Sequence, residues 1–298
     1  MSSDLARVHR LEYPLPVHYA CYAVWGAAYA VTGVRQLVGL PIPLAVVANL
    51  PLPVAMNCLN AAVDVRTDAE TADKRGSAAA VQRLGVRRVV WWAAIEMAGS
   101  LALAVVVSVW LGRWLVALSV ALIIALHVLY NVEPVRLKRR GLANPLTLGI
   151  AFGFLPCLVS YYAVDAHVTM PLLLIFAGLG ATVAGRALWW MVPDRAGDAA
   201  TGMTTLAVRY GARRTVIASC VLVAIGPVLL GWGLWLRYPP IWAGAGIVAG
   251  CVFLVGQYVV LPGISDRKLP SSVRLRRRNM TPMMLANVFL AALPMLAR

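Results

Sequence analysis

The sequence predicts an all-α membrane protein, a bundle of nine transmembrane helices. Its mean hydropathy is +0.76, and 61% of its 298 residues are hydrophobic whereas 13% are charged. A soluble domain of this length would carry about 25% charged residues. Nine apolar segments reach the length of about 20 residues that a bilayer-crossing helix needs. These observations argue against soluble domains, and we treat residues 1–298 as a single polytopic domain.

The nine predicted spans follow one another along the chain. The first is expected to be a retained helix, because no small-residue cleavage site follows a short apolar stretch. The second contains four prolines, so we expect it to be kinked or broken, which neighbouring helices can accommodate inside a membrane. The spans cover approximately residues 16–34, 39–63, 88–111, 113–131, 143–164, 170–192, 214–236, 240–261 and 280–297.

The distribution of Lys and Arg supports this count and predicts the orientation. With a cytoplasmic N-terminus, 22 of the 27 basic residues fall on the cytoplasmic side and one, Arg186, lies within span 6. The other side has Arg35, Arg113, Arg237 and Arg298. Cytoplasmic loops of membrane proteins carry such an excess. It accounts for the net charge of +15 without a nucleic-acid partner. We expect an integral, multi-pass protein in the lipid bilayer of a bacterial plasma membrane.

Two pairs of aspartates mark a candidate site. Asp64 and Asp68 follow span 2, whereas Asp194 and Asp198 follow span 6. Both spans run from the outside inward, so the two pairs emerge together on the cytoplasmic face. Four residues apart, the side chains of a pair share one helix face, about 6 Å from each other. Carboxylates gathered in this way need cations, and Mg²⁺, which prefers oxygen ligands and substrate phosphates, suits such a site.

Other polar residues strengthen this interpretation. Asn60, one turn before Asp64, offers an oxygen ligand or an amide donor. Arg136 and Lys138, which follow Tyr130 at the end of span 4, are candidates to bind phosphate oxygens, as is Lys74. The alternative is a set of solvated loop acids paired with nearby basic residues. Two pairs at equivalent positions, in a chain with 12 acidic residues, argue against it.

Together these motifs resemble those of the UbiA superfamily of intramembrane prenyltransferases. The resemblance covers nearly the whole chain, and the order and spacing of three motifs make it specific. The family is also built from nine helices with a cytoplasmic-side site. YNVEPVRLK resembles the family's Tyr-x-x-Pro-Pro-x-Arg-x-Lys segment, and GMTTLAVRYG the stretch after its second acidic motif. The family's NxxxDxxxD and DxxxD motifs correspond to Asn60, Asp64 and Asp68, and to Asp194 and Asp198.

The resemblance implies a function. The two aspartate motifs, with Asn60, would hold two Mg²⁺ ions that bridge the diphosphate of an isoprenyl donor. Lys74, Tyr130, Arg136 and Lys138 would help to bind that diphosphate, and the prenyl tail would occupy an apolar cavity open to lipid. Loss of diphosphate would give an allylic cation, which a lipophilic or aromatic acceptor traps.

Two alternatives stay open at this point. A membrane terpene cyclase of the same family would ionise farnesyl or geranylgeranyl diphosphate and needs no acceptor. A secondary transporter with a midplane ion site is disfavoured, because the acidic residues cluster at one membrane face.

Several isolated polar residues have no role in these motifs. Glu96 and Arg186 lie about two turns inside spans 3 and 6, where charges are paired or functional. They either pair with each other or line the mouth of the cavity. Glu133 replaces the first proline of the basic segment and is a metal ligand, a base or a salt-bridge partner of Arg136.

The His and Cys residues carry less information. His127, like Asn57, either faces the cavity or forms a packing hydrogen bond. His9, His18 and His167 show no pattern. The five cysteines fall in apolar stretches without paired spacing, so we expect no disulfide framework and no metal-binding His/Cys cluster.

Overall fold

The structure, a computed structural model, describes residues 2–71, 73–259, 261–264 and 272–297. Its regular secondary structure is entirely helical in these ranges. Short 3₁₀ turns cover Leu137–Arg139 and Leu261–Gly263, and a π-helical turn covers Ile150–Phe154. The α-helices are α1 Ser2–Val8, α2 Leu15–Ala30, α3 Val34–Leu37, α4 Pro41–Asn49, α5 Pro51–Val63, α6 Val65–Glu70, α7 Arg75–Leu84, α8 Val86–Leu111, α9 Leu115–Asn131, α10 Ala143–Gly149, α11 Leu155–Tyr162, α12 Met170–Ala200, α13 Leu206–Tyr210, α14 Ala212–Arg237, α15 Pro240–Tyr258 and α16 Ser272–Leu296.

Seven helical segments in the described ranges are long and apolar enough to cross a membrane. They are Pro41–Val63, Val86–Leu111, Ala143–Tyr162, Met170–Ala200, Ala212–Arg237, Pro240–Tyr258 and Asn279–Leu296. The predicted spans 1 and 4 correspond to α2 and α9, which have 16 and 17 residues. The all-helical class is therefore confirmed, with seven segments of spanning length.

The second predicted span is interrupted, as its prolines indicated. Helix α4 ends at Asn49 and α5 begins at Pro51, which has no N–H to continue the hydrogen-bond ladder. Leu50 between them keeps helical dihedrals of −58° and −39°, so the chain passes from one helix to the next without a loop. The fifth span, predicted at 143–164, contains the π-helical turn between α10 and α11.

The sixth span is longer than predicted, and this changes the setting of the second acidic pair. The sequence boundary at residue 192 followed the loss of apolar residues, but α12 continues to Ala200. Asp194 and Asp198 therefore lie in its last two turns and not in a loop. The helix stops before Gly202, whose φ of +69° is favourable for glycine and common just beyond a helix end.

Glycines allow α12 to lie close to the α10 segment. A Cβ added to Gly149 would lie 2.5 Å from the carbonyl oxygen of Gly180, and one added to Gly153 would lie 2.8 Å from the Cα of Gly180. Small residues at such interfaces let helix backbones approach each other. This contact packs the first half of α12 against the segment that follows α9.

Candidate active site

A cavity of about 270 Å³ lies between α2, α5, α9, α10 and α12. Along α12 its lining runs from Val183 to Asp198, about 22 Å at 1.5 Å per residue. The lining of α12 begins at the apolar Val183 and ends at the acidic Asp194 and Asp198. The apolar wall of the cavity includes Met56, Leu148, Phe152, Val183, Trp190 and Met191. Its polar end includes Asn60, Asp64, Lys74, Tyr130, Lys138, Asp194 and Asp198.

The first acidic pair spans the junction between α5 and α6, with Asp64 at the end of α5 and Asp68 in α6. Asp64 caps α5 and is buried, and one of its carboxylate oxygens accepts hydrogen bonds from Lys138 Nζ at 2.6 Å and Arg136 Nη2 at 3.0 Å. Burial lowers the pKa of Lys138, which the nearby Asp64 carboxylate partly offsets. Arg136 does not line the cavity, but its ion pair with Asp64 holds the basic segment against the acidic one.

Lys74 connects the two acidic pairs. Its Nζ lies 2.8 Å from Asp194 and 3.5 Å from Asp68, in α6. Burial disfavours the lysine charge, but the carboxylates of Asp194 and Asp68 outweigh it and raise the pKa of Lys74. Burial raises the pKa of Asp68, against the opposing effects of Lys74 and Arg10. Residues from the ends of spans 2 and 6 thus meet in one cluster of charges.

Asp198 is positioned by the segment that follows its helix. The Thr205 hydroxyl donates a hydrogen bond of 3.1 Å to its carboxylate, and the backbone N–H of Met203 donates to the Asp198 carbonyl at 2.8 Å. Thr205 and Met203 both line the cavity. The sequence had indicated the surrounding GMTTLAVRYG segment but had not identified this hydrogen bond.

Two amides support the predicted site residues. Asn60 donates through its side-chain nitrogen to Asn131 at 3.0 Å, so this bond does not use the Asn60 carbonyl oxygen. The Tyr130 hydroxyl donates to Asn144 at 3.2 Å, and Asn144 in turn donates to the backbone carbonyl of Lys138 at 2.7 Å. Tyr130 therefore positions the basic segment through Asn144. Asn131 occupies an unspecified position of the YNVEPVRLK segment, and Asn144 lies outside the motifs, so the sequence indicated neither contact.

The expected alternative of a Glu96–Arg186 pair is wrong. Glu96 interacts with His9, whereas Arg186 donates to the Tyr22 hydroxyl at 3.3 Å and lies over the ring of Phe253. Arg186 does line the cavity, which was the other interpretation. Similar depth in two spans does not determine which way each helix faces.

Of the three roles considered for Glu133, the contacts match that of a salt-bridge partner of Arg136. The Glu133 carboxylate is 58% exposed and accepts from Arg136 at 3.0 Å and from Arg139 at 3.2 Å. The hydrogen bond from Arg136 lowers the pKa of Glu133. It does not line the cavity.

The remaining polar residues differ in their exposure to the cavity. His18, for which the sequence indicated no role, lines it and is hydrogen-bonded to Asn287. Asn57 also lines it and donates to the Tyr19 hydroxyl at 2.9 Å. His127 is instead buried behind the wall against the ring of Phe152.

One cysteine lies in a group of possible metal ligands that the sequence did not indicate. Cys58 lies beside His9 and Glu96, outside the cavity lining. The three residues come from elements that are distant in the sequence, so no spacing could indicate them.

Comparison with known proteins identifies proteins that are similar to the chain as a whole. A model of the UbiA prenyltransferase family matches residues 20–279. A UbiA homolog from Archaeoglobus fulgidus bound to DMAPP and Mg²⁺ has a TM-score of 0.76 and 16% identity, covering 99% of this chain and 98% of its own. For the apo UbiA homolog from Aeropyrum pernix K1 these values are 0.72, 17%, 95% and 97%.

A structure of digeranylgeranylglyceryl phosphate synthase is also similar, with a TM-score of 0.63 and 14% identity over 97% of this chain and 98% of its own. No curated protein matches this chain. The solved structures, all below 25% identity, establish likeness of fold.

Proposed function

Because the chain belongs to the UbiA prenyltransferase family, we propose that it is a Mg²⁺-dependent enzyme that transfers an isoprenyl group from an isoprenyl diphosphate to a lipophilic or aromatic acceptor. The observation that carries this proposal is the bridge from Lys74 to Asp68 and Asp194. It joins the two acidic motifs at the polar end of a cavity that also has a large apolar wall. This arrangement suits a charged head attached to a hydrocarbon tail.

The donor set at the polar end fits Mg²⁺. Asp64, Asp194 and Asp198 line the cavity there, and Asp68 lies next to it at 3.5 Å from Lys74. Hard oxygen ligands of this kind are those that Mg²⁺ prefers. Bound Mg²⁺, two ions by analogy with the family, would supply Lewis-acid stabilisation of the departing diphosphate. The structure of the A. fulgidus homolog with DMAPP and Mg²⁺ supports this assignment. Asn60 would contribute its carbonyl oxygen or orient a neighbouring ligand.

The basic residues would bind the diphosphate oxygens. Lys74, Arg136 and Lys138 each lie within 3.5 Å of an acidic motif, so they are already placed beside the proposed metal ligands. Charge-assisted hydrogen bonds from these groups would stabilise the negative charge that develops as the C–O bond breaks. Tyr130 would act through Asn144, by fixing the backbone around Lys138.

The apolar wall would protect the allylic cation. Water would quench such a cation, so its exclusion by Met56, Leu148 and Val183 favours productive transfer. The ring faces of Phe152 and Trp190 carry partial negative charge and stabilise nearby cations.

We also propose that the chain is one polytopic domain that crosses the membrane nine times, with the N-terminus and the active site on the cytoplasmic side. The seven helical segments of spanning length support this topology, with α2 and α9 as the two remaining spans. The asymmetric distribution of Lys and Arg supports the orientation.

Product analysis tests the proposed reaction. The purified protein is incubated with geranyl, farnesyl or geranylgeranyl diphosphate and Mg²⁺, with and without a panel of aromatic and lipid acceptors. Diphosphate release that requires an acceptor, together with a prenylated product, is the expected result. Release without acceptor, together with cyclic hydrocarbon or alcohol, would establish the terpene cyclase instead. If no diphosphate is released under any condition, the proposal fails.

A further inference from the structure

A second cluster of metal-ligand side chains lies outside the cavity. His9 follows α1, Cys58 belongs to α5 and Glu96 belongs to α8. One ligand atom from each lies within 4.8 Å of the other two. None of the three lines the cavity. The cluster therefore has nitrogen, sulfur and oxygen donors and is separate from the acidic motifs.

The hydrogen bonds of His9 leave one ring nitrogen directed at the cluster. Its Nδ1 lies 2.8 Å from the carbonyl oxygen of Leu5, which accepts only, so Nδ1 carries the proton. Its Nε2 lies 2.9 Å from Glu96. Two lone pairs would repel at this distance, so a proton or a metal cation must lie between them. A backbone carbonyl on one ring nitrogen and a metal on the other is a common arrangement of histidine ligands.

The other two residues complete a set of ligands. The second carboxylate oxygen of Glu96 is buried and has no hydrogen-bond partner in the described part of the chain. Leaving such an oxygen unpaired is unfavourable, and a bound cation would satisfy it. The Cys58 side chain is completely buried beside it, so its sulfur is available within the protein and not to solvent.

We propose that His9, Cys58 and Glu96 bind a Zn²⁺ ion. Zinc takes these three donor types at about 2.0–2.3 Å, in tetrahedral sites whose fourth position is filled by water when the protein supplies three ligands. Binding releases the thiol proton and the proton shared by His9 and Glu96. Neutral imidazole, thiolate and carboxylate then balance the two charges of the metal. Sulfur and nitrogen donors disfavour Mg²⁺, which prefers oxygen.

The proposed site would connect the N-terminal segment to the cavity. Arg10, the next residue after His9, lines the cavity and has a left-handed φ of 51°. That conformation is uncommon for residues other than glycine and is maintained by its surroundings. A metal bound to His9 would fix the turn against α5 and α8 and thus hold Arg10 in place. If the proposed function is correct, losing the ion would weaken binding of the diphosphate.

Cobalt is the probe for this site, because thiolate-bound Co²⁺ has a charge-transfer band that oxygen ligands do not give. The full-length protein in detergent is freed of metal and titrated with Co²⁺ alone. We expect one equivalent to produce the thiolate band with tetrahedral d–d bands, and Zn²⁺ to abolish both. Cys58→Ser, His9→Gln and Glu96→Gln should each lose the signal.

Two variants separate this site from the others. Cys220→Ser changes a partly buried cysteine elsewhere and should keep the signal, and so should Asp194→Asn, in the proposed Mg²⁺ site. Zn²⁺ should raise the melting temperature of the wild type but not that of His9→Gln, a substitution in a turn that tolerates change better than the core. A wild type without the thiolate band, or a band that persists in Cys58→Ser, overturns the proposal. Neither result depends on prenyl transfer.

Discussion

Replacing Lys74 with methionine should destabilise the metal-free protein and affect it less when Mg²⁺ is present. The substitution keeps most of the side-chain volume and removes the charge that bridges Asp194 at 2.8 Å and Asp68 at 3.5 Å. The Asp68 side chain is 3% exposed, so its buried carboxylate would lose Lys74, the stronger of the two cations that offset its burial, and keep only Arg10. Mg²⁺ bound by these carboxylates would replace the missing charge.

The size of the effect follows from the burial of the pair. Removing one partner of a fully buried ion pair costs about 3–5 kcal/mol. The side chains of Lys74 and Asp194 are 27% and 22% exposed, so solvent screening reduces the cost to about 2 kcal/mol. At about 2 °C per kcal/mol for a chain of this size, the melting temperature should fall by about 4 °C.

Thermal unfolding in detergent, with EDTA or with Mg²⁺, measures both parts of this prediction. Arg83→Met is the matched control, because it removes an ion pair with Asp4 in which the arginine is 57% exposed. Its effect should be much smaller than that of Lys74→Met and independent of Mg²⁺, because surface ion pairs contribute little to stability. Equal shifts for the two variants, or a Lys74→Met shift that Mg²⁺ does not reduce, would refute the reasoning.

Three further predictions concern residues around the cavity. Tyr130→Phe removes the hydrogen bond to Asn144, so we expect a loss of about 1 kcal/mol in the free energy of unfolding. The KM for the isoprenyl diphosphate should also rise, and thermal melting and steady-state kinetics measure the two effects. If neither quantity changes, Tyr130 does not belong to the site. Thr205→Val keeps the shape but removes the donor to Asp198, so Mg²⁺ titration of activity should show an altered requirement. The control Thr215→Val, which removes a hydroxyl in α14 bonded to the Gly211 carbonyl, should not. Gly153→Val places atoms against Gly180, so detergent-extracted protein should elute as aggregate, whereas the Gly99→Ala control, at a position with open space, should elute normally.

The charged cluster was largely predictable, because topology and spacing determine it. Once spans 2 and 6 run in the same direction, Asp68 and Asp194 must emerge on one face, and the structure brings both to Lys74. The all-helical class followed from composition. The length of α12 did not, because a helix continues beyond its apolar residues until a signal such as Gly202 ends it.

The contacts that the sequence did not predict depend on how each helix is rotated about its own axis. Glu96 and Arg186 lie at similar depths, yet Glu96 contacts His9 and Arg186 faces the cavity. Hydropathy specifies depth and not rotation about the helix axis. The same applies to Cys58, whose neighbours come from a turn and a helix far along the chain.

The most direct test of the central claim, that the two acidic motifs form one diphosphate site, is a double-mutant measurement of diphosphate release. Asp64→Asn, Asp194→Asn and the double variant are compared with Glu133→Gln, which changes an exposed carboxylate outside the cavity. Each single variant should lose about 100-fold or more, and the double variant should lose little beyond that, because residues that act as a unit are not additive. Glu133→Gln should keep activity close to that of the wild type. Full turnover in either single variant would contradict the account.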